Sequence, residues 1–415
     1  MARFLQRWLV PKSKGFGALA CRDFRLFVFG NSLSLIGMWV QRVGAGWLVW
    51  EISHSSVWLG VLALADLFPT VFIAPIAGLM ADRCDPRRVM LYCQWVAMAM
   101  AVLQACLILG DASSMEWLLV VTLVTGIASA LCQPTRLSWA STLVPQQQLG
   151  SAVALTSLCF SLARFVGPAV AGALLLKLDP SALFFVSALG YAVFIAAIVR
   201  IPASPRLRED MPPLHWRRDV TDGFRYLASD APLRAIFLLL IACAVCLRGI
   251  PDMAPAIADA MVQRGAQGFA LLVAAAGAGA LAGGIWISGR DTTAPLARLI
   301  ERHVLAASLC GLGLAFTQHF PVALVLFFAL GFSVVVTGIG AQTLIHLSVP
   351  QAMRGRVLAL YGVTYRGGPA LSALWLGACA PLWGLRVALG AGAVVCMAAY
   401  CATKLRARYR DLPAR

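Results

Sequence analysis

Long apolar runs, separated by short polar segments, make up most of the sequence between residues 26 and 404. An α-helix needs about 20 apolar residues to cross a bilayer, and most of these runs approach that length. Charged residues, Pro or Gly mark their ends. The pattern predicts twelve membrane-spanning helices, at 26–50, 57–81, 89–109, 117–135, 152–176, 182–199, 233–250, 269–288, 298–317, 321–346, 357–380 and 385–404.

A polar stretch in the middle of the chain divides these helices into two sets of six. We therefore predict an all-α membrane protein made of two pseudo-symmetric six-helix bundles. Its predicted segments are an N-terminal segment at 1–25, a first bundle at 26–199, a linker at 200–232, a second bundle at 233–404 and a tail at 405–415.

A repeated motif supports duplication of one half. The sequence Val-Pro-Gln begins at Val144 and again at Val349, with Gly, Ala and Leu at matching positions after it. At nearly the same spacing, Arg42 in helix 1 corresponds to Arg248 in helix 7. Transporters built from such parallel repeats hold their substrate near the middle of the bilayer, between the two bundles.

Composition excludes a soluble enzyme or a secreted disulfide-bonded domain. Hydrophobic residues make up 60% of the chain and charged residues 13%, against about half and about one-quarter in soluble domains. The twelve cysteines lie mostly in apolar runs, where they act as small hydrophobes.

The net charge of +16 follows from membrane topology. Most Lys and Arg residues fall in loops on one side, while Lys177, Arg264 and Arg386 fall in loops on the other. Basic loops stay in the cytoplasm, so we expect both termini there, in a bacterial inner membrane. The lipid bilayer explains the charge, and we expect no nucleic-acid partner.

The loop after helix 2 carries a distinctive set of residues, Gly78, Asp82, Arg83, Arg87 and Arg88. It resembles the signature loop of the major facilitator superfamily. It departs from the usual pattern because Asp85 replaces its second glycine, and because the second half has Ser288 at the place of Asp82.

Other segments resemble the exporter branch of that superfamily, which includes siderophore exporters and macrolide-type efflux pumps. They are Pro134-x-Arg136, the helix 5 sequence from Arg164 through Gly167 and Pro168, and Val349-Pro350 before helix 11. The resemblance implies an exporter that exchanges a small molecule for protons, with helices 1 and 7 lining its cavity.

Several residues are candidates for gating between the two bundles. Asp82 lies at the cytoplasmic end of helix 2 and can meet the N-terminus of helix 11, where a carboxylate is stabilised by about 0.3–1 kcal/mol. Arg83, Arg87 and Arg88 either complete that charge network or only set the topology. In helix 5, Arg164 with Gly167 and Pro168 either supports a proline bend or contacts substrate.

Charges inside the membrane are candidates for function because they are costly to bury. Arg42 and Asp66 both lie ~12–14 Å deep at about 1.5 Å per residue, so they can pair, either as a proton-coupling site or as a permanent structural salt bridge. Arg248 and Asp252 are spaced i, i+4 and share a face if helix 7 continues; Asp252 is the second proton-coupling candidate. Asp259 is interpreted as a solvated loop acid.

Substrate binding is assigned to polar and aromatic residues within the spans. Arg248 is the anion-binding candidate, with a structural role as its alternative, and the other candidates are Trp39, Gln41, Gln133, Gln342 and Tyr361. Since the five histidines are scattered and no catalytic or ATP-binding motif occurs, we expect no enzyme activity, no metal and no cofactor.

The sequence therefore predicts a monomeric secondary transporter, a proton-coupled exporter of a siderophore-like anion or an amphiphilic drug that works by alternating access. Two alternatives stay open. One is a proton symporter for uptake of a small organic acid, and the other is a non-transporting membrane receptor or intramembrane enzyme.

Overall fold

The computed structural model describes residues 17–202, 216–289 and 296–410, without the side chains of 74–76, 78–79, 81–83, 216–220, 352 and 405–410. Long α-helices dominate this part of the chain. The first half consists of a short 3-10 turn followed by α1 (Arg22–Ser53), α2 (Ser56–Arg83), α3 (Pro86–Leu109), α4 (Met115–Thr142), α5 (Leu149–Leu175) and α6 (Ser181–Arg200).

The second half repeats this arrangement after one additional helix, α7 (Trp216–Ser229). Its long helices are α8 (Ala231–Cys246), α9 (Gly265–Ser288), α10 (Leu296–Phe316), α11 (Phe320–Ser348), α12 (Gln351–Trp383) and α13 (Leu385–Arg410). After α8 the chain continues as irregular helical turns, Ile250–Met253, Ala254–Ala256 and Ile257–Met261. The region predicted as a linker is thus helical in part.

Capping residues define several helix starts. The side chains of Asp85, Ser114 and Asp230 each accept a hydrogen bond from a backbone N–H in the first turn of the following helix, which satisfies a donor that the helix itself cannot pair. Most connections within each half are short, so consecutive helices joined by them run in opposite directions. We call the side where α1 begins and α13 ends the terminal side, and the other the far side.

Ten helical segments in the described part of the chain are long and apolar enough to cross a membrane. The two other long helices, α1 and α12, contain 32 and 33 residues and carry polar residues within their apolar sequence. In α1 these include Asn31, Gln41 and Arg42, of which the first two are buried inside the protein. These buried polar groups of α1 therefore face protein and not lipid.

The two six-helix bundles meet along α2 with α12 and along α5 with α9. The backbones touch at glycines: a Cβ on Gly377 would lie 2.4 Å from the Ser56 carbonyl oxygen, and one on Gly277 would lie 2.6 Å from that of Arg164. Such distances exclude any side chain. These contacts reach from the far side to the middle of the membrane, so the protein is closed on its far side.

The terminal side is more open around the corresponding helices. A Cβ built on Gly150 at the start of α5, or on Gly355 or Gly362 in the first part of α12, would meet no atom within 4 Å. The contrast with Gly377 shows that α12 contacts the first half closely at its far end and leaves open space at Gly355 and Gly362.

The structure corrects one predicted helix end that bears on chemistry. The sequence pattern ends the fourth span at residue 135, which leaves Arg136 in a loop, but α4 continues to Thr142. Arg136 is 9% exposed and therefore belongs to the buried part of the bundle. In a sequence, an arginine at the end of an apolar run indicates the start of a loop. Here the helix continues past Arg136.

Candidate functional site

Arg42 of α1 binds two carboxylates near the middle of the protein. Its Nη1 lies 3.2 Å from Asp66 Oδ2 of α2, the pair that the sequence predicts, and its Nη2 donates to Asp252 Oδ1 at 3.0 Å. Asp66 belongs to the same half as Arg42, whereas Asp252 belongs to the irregular segment after α8. One guanidinium therefore joins the two halves on the closed far side.

Trp39 and Arg164 extend this cluster. The Trp39 ring lies 5.3 Å from the Arg42 guanidinium carbon and 5.7 Å from that of Arg164, which is cation–π distance. Its indole Nε1 is buried without a hydrogen-bond partner. Gly167 lets α5 come this close, since a Cβ there would lie 2.4 Å from the Cβ of Trp39. Pro168 follows it inside the same helix.

Arg248 lies in a pocket of the second half. Its guanidinium carbon is 3.6 Å from the centre of the Tyr365 ring, and Tyr361 stacks on Tyr365 with ring centres 5.3 Å apart. The Tyr361 hydroxyl donates to the Gly338 carbonyl at 2.9 Å. Two buried polar atoms here lack hydrogen-bond partners, Arg248 Nη1 and Thr337 Oγ1. The pocket is lined by Leu240, Cys243, Ala244, Arg248, Val334, Thr337, Tyr361, Thr364 and Tyr365.

The central arginines form one electrostatic group. The guanidinium carbons of Arg42 and Arg164 lie 5.3 and 5.7 Å from the Trp39 ring, and Arg164 is also near enough to Arg248 for their charges to repel, so a positive region extends from the first half into the second. The three arginines outnumber Asp66 and Asp252, the two carboxylates paired with Arg42. An anion entering between the bundles therefore meets an excess of positive charge.

The predicted partnership of Arg248 and Asp252 is wrong. Helix α8 ends at Cys246 and the following turn at Ile250–Met253 is a 3-10 helix that contains Pro251, so the i, i+4 geometry is lost. Asp252 turns to Arg42 instead. Asp259 also differs from its interpretation as a solvated loop acid, because its Oδ2 accepts a hydrogen bond of 2.9 Å from Trp50 Nε1.

The three glutamines predicted to bind substrate lie apart from one another. Gln41 accepts a hydrogen bond from the Tyr191 hydroxyl at 3.0 Å, inside the first half. Gln133 lines a different cavity from Arg248, also in the first half. Gln342 is exposed on α11. The sequence places each glutamine within a span but does not show which face of the helix carries its side chain.

The signature loop is only partly described. Gly78, Asp82 and Arg83 end α2, and their side chains lie outside the described residues. Arg87 donates to the carbonyls of Ile198 and Val199 at 3.2 and 2.7 Å and so binds the C-terminal end of α6. Arg88 is exposed and lies 3.8 Å from Asp85. Both described arginines thus contact their own half.

Sequence reasoning missed the bridging role of Asp252, the Trp50–Asp259 hydrogen bond and the burial of Arg136. The first two join residues about 210 positions apart, and nothing local in the sequence specifies such pairs. In the described part of the chain, no group of three or more His, Cys, Asp or Glu side chains could hold a metal ion.

Comparison with known proteins identifies the chain. The family described as transmembrane secretion effectors, of the major facilitator superfamily, matches residues 13–414. The chain belongs to this family. It is therefore a multi-pass membrane transporter and not an enzyme, with the twelve-helix fold that its sequence predicts.

Relatives in this family include exporters. The chain is 24% identical to the enterobactin exporter EntS of Shigella boydii over 85% of this chain and 84% of that protein. It is 23% identical to macrolide efflux protein A of Streptococcus pyogenes over 51% and 52%. It is also 26% identical to the staphyloferrin A transporter of Staphylococcus aureus, over 43% of this chain and 45% of the relative.

Solved structures share the fold. A bacterial homologue of the human lysosomal transporter Spinster, in an inward-facing and unoccupied conformation, superposes with a TM-score of 0.73 at 16% identity, over 94% of this chain and 98% of that one. The human organic anion transporter MFSD10 gives a TM-score of 0.64 at 14% identity, over 92% and 99%. At these identities the likeness concerns the fold alone.

Proposed function

We propose that the protein is a proton-coupled exporter of a small organic anion that carries apolar or aromatic groups, as siderophores do. It works by alternating access in a bacterial inner membrane with both termini in the cytoplasm. The substrate class is inferred from Arg248. Its buried Nη1 has no hydrogen-bond partner, and its guanidinium lies against the aromatic face of Tyr365. A carboxylate or catecholate oxygen would satisfy that donor.

The pocket around Arg248 suits such a substrate in two further ways. Tyr361 and Tyr365 present stacked rings that favour an aromatic or apolar body, and Thr337 offers a second unpaired polar atom. Arg164 and Trp39 supply a cation and an indole N–H on the opposite half. The substrate would thus contact both halves, as alternating access requires.

Proton coupling is assigned to Arg42, Asp66 and Asp252. One cation with two carboxylates holds one negative charge in excess, so binding of a single proton neutralises the cluster. When the far side opens, Asp252 separates from Arg42 and its carboxylate becomes free to take up a proton. When that side closes, the ion pair re-forms only with the ionised carboxylate, so the proton leaves toward the terminal side.

Substrate and proton then move in opposite directions. Substrate enters from the terminal side, and its contacts to Arg248 and Arg164 offset the loss of the Arg42–Asp252 ion pair as the far side opens. Cytoplasmic placement of the terminal side follows the positive-inside rule and makes this exchange an export. We propose that Asp82 steadies the opposite, outward-open state at the terminal side, so Asp82→Ala should reduce flux at equal protein abundance.

Binding to purified protein tests the substrate class. Arg248→Gln should weaken binding of an iron-free siderophore by about tenfold or more, since a charge-assisted hydrogen bond contributes about 1.5–3 kcal/mol. Arg248→Lys, which keeps the charge but loses the planar guanidinium, should weaken it less. Arg366→Gln is the matched control, because Arg366 is an exposed arginine on α12. A cationic dye that binds better than the siderophore, with no effect of Arg248→Gln, contradicts the proposal.

Membrane vesicles test the direction. Inverted vesicles should accumulate the siderophore when their lumen is acidic, whereas right-side-out vesicles should not. Accumulation in right-side-out vesicles, driven by an inward proton gradient, would instead indicate a symporter for uptake.

A further inference from the structure

A second cavity lies wholly inside the first half of the protein, between α1, α3, α4 and α6. We call it the N-half cavity. Its polar lining consists of Ser34, Gln94, Ser129, Gln133, Arg136 and Tyr191. The pocket around Arg248 has no residue in common with it, so the two are separate places in the fold.

Arg136 is the charged residue that lines this cavity. Nine-tenths of the residue is buried, it reaches the cavity from α4, and its Nε has no hydrogen-bond partner. Its guanidinium contacts the thiol of Cys132, but no carboxylate lines the cavity or pairs with Arg136 among the residues that the structure describes. A buried arginine normally has an anionic partner.

Other donors accompany the guanidinium. Gln133 lies about one helical turn from Arg136 on α4, and Ser129 lies about one turn further along the same helix. Neither the Ser129 hydroxyl nor the Gln133 amide has a hydrogen-bond partner within the described ranges. By contrast, Ser34 and Gln94 are already paired with each other at 2.7 Å, and the Tyr191 hydroxyl donates to Gln41. The free groups are therefore on α4, beside the unpaired charge.

We propose that the N-half cavity binds a small monovalent anion of halide size, with chloride as its ordinary occupant, held by Arg136, Gln133 and Ser129. A single guanidinium balances a single negative charge, and a monovalent halide loses less hydration energy on burial than a multivalent anion. The bound ion is the missing counter-charge of Arg136 and pairs with the free donors of α4. This site is independent of the cargo carried beside Arg248.

Chloride-35 NMR of the purified full-length protein in detergent tests the proposal directly. Wild-type protein should broaden the chloride line in a saturable manner, and bromide should compete while gluconate should not. Arg136→Gln should lose the saturable broadening or weaken halide binding by about tenfold or more. Arg248→Gln, which removes another partly unpaired arginine outside the N-half cavity, should keep the halide binding of the wild type.

A second variant covers the possibility that Arg136→Gln does not fold. The double substitution Ser129→Ala with Gln133→Leu keeps the charge and removes the accessory donors, so it should weaken halide binding while the protein stays folded. In the wild type, chloride should also raise the unfolding temperature above that in gluconate at equal ionic strength. The proposal is overturned if the wild type shows no saturable halide binding up to physiological chloride, or if Arg136→Gln or the double variant binds as the wild type does.

Discussion

Arg42 has one carboxylate partner in its own half and one in the other half, and the two partners have different mechanical consequences. Asp66 of α2 holds the guanidinium in place within the first bundle. Asp252 is the partner that must be released when the far side opens. The two aspartates are chemically alike, yet in the proposed mechanism only Asp252 moves relative to Arg42.

Substitution of each aspartate by asparagine separates these roles. Asp66→Asn and Asp252→Asn should both abolish proton-driven accumulation, while substrate binding and downhill exchange persist. In Asp252→Asn the amide exchanges no proton, and in Asp66→Asn the cluster loses the excess negative charge that a proton neutralises. Asp252→Asn should in addition open the far side more often, since a neutral amide holds Arg42 less strongly than a carboxylate does. Asp259→Asn is the control, because Asp259 pairs with Trp50 and not with an arginine.

Accumulation of substrate against its gradient, measured in proteoliposomes, tests whether Asp66 and Asp252 couple transport to protons. If either Asp66→Asn or Asp252→Asn still drives uphill export at the wild-type rate, that aspartate is structural and the coupling site must be sought elsewhere.

At the scale of the helix, the sequence predicts which helices exist and in what order better than it predicts where each helix ends and which way its side chains face. Apolar length identifies ten of the long helices by itself, because burial in lipid demands it, and α1 and α12 are recognised although polar residues interrupt their apolar sequence. The sequence pattern places Arg136 in a loop, because hydropathy cannot show that a charged side chain is buried against protein. The irregular turn after Cys246 contains Pro251, which the sequence shows, but the new partner of Asp252 depends on how the segment after α8 meets α1, which no local pattern encodes. Depth in the membrane, by contrast, did predict the pairing of Arg42 with Asp66.

Close contact between α2 and α12 gives a prediction at this scale. Gly377→Val should disfavour the closed far side, because its side chain would collide with the Ser56 backbone and backbone cannot move aside as a flexible side chain can. Gly362→Val on the same helix is the matched control, since a Cβ there meets nothing within 4 Å. Leu374→Cys, beside Gly60, reports opening through labelling of the new thiol by a membrane-impermeant reagent.

Labelling of that cysteine should rise severalfold in Gly377→Val and stay unchanged in Gly362→Val, in a background that lacks other reactive thiols. Equal labelling in the two variants would mean that the glycine contact does not control closure.

At the scale of the whole molecule, the distribution of basic residues predicts an orientation. A reporter that is active only in the cytoplasm should function when fused near Arg217, and one active only in the periplasm should function when fused after Ser113, between α3 and α4. The physical reason is the cost of moving arginine-rich loops across the membrane. Periplasmic activity at Arg217 would reverse the orientation and with it the proposed direction of transport.

The segment after α8 has a consequence for finding the cargo. Its backbone is held by 3-10 and π-type bonds, such as Asp252 N–H to Gly249 O and Val262 N–H to Ile257 O, and Pro251 and Pro255 donate none. Such irregular turns open locally at a smaller free-energy cost than continuous helix. Their amides should therefore exchange with deuterium faster than those of α9, and more so whenever the far side opens. Mass spectrometry of peptides covering 247–261 could then rank candidate molecules by their effect on this exchange, so that the cargo is recognised by a change in isotope content before any flux is measured.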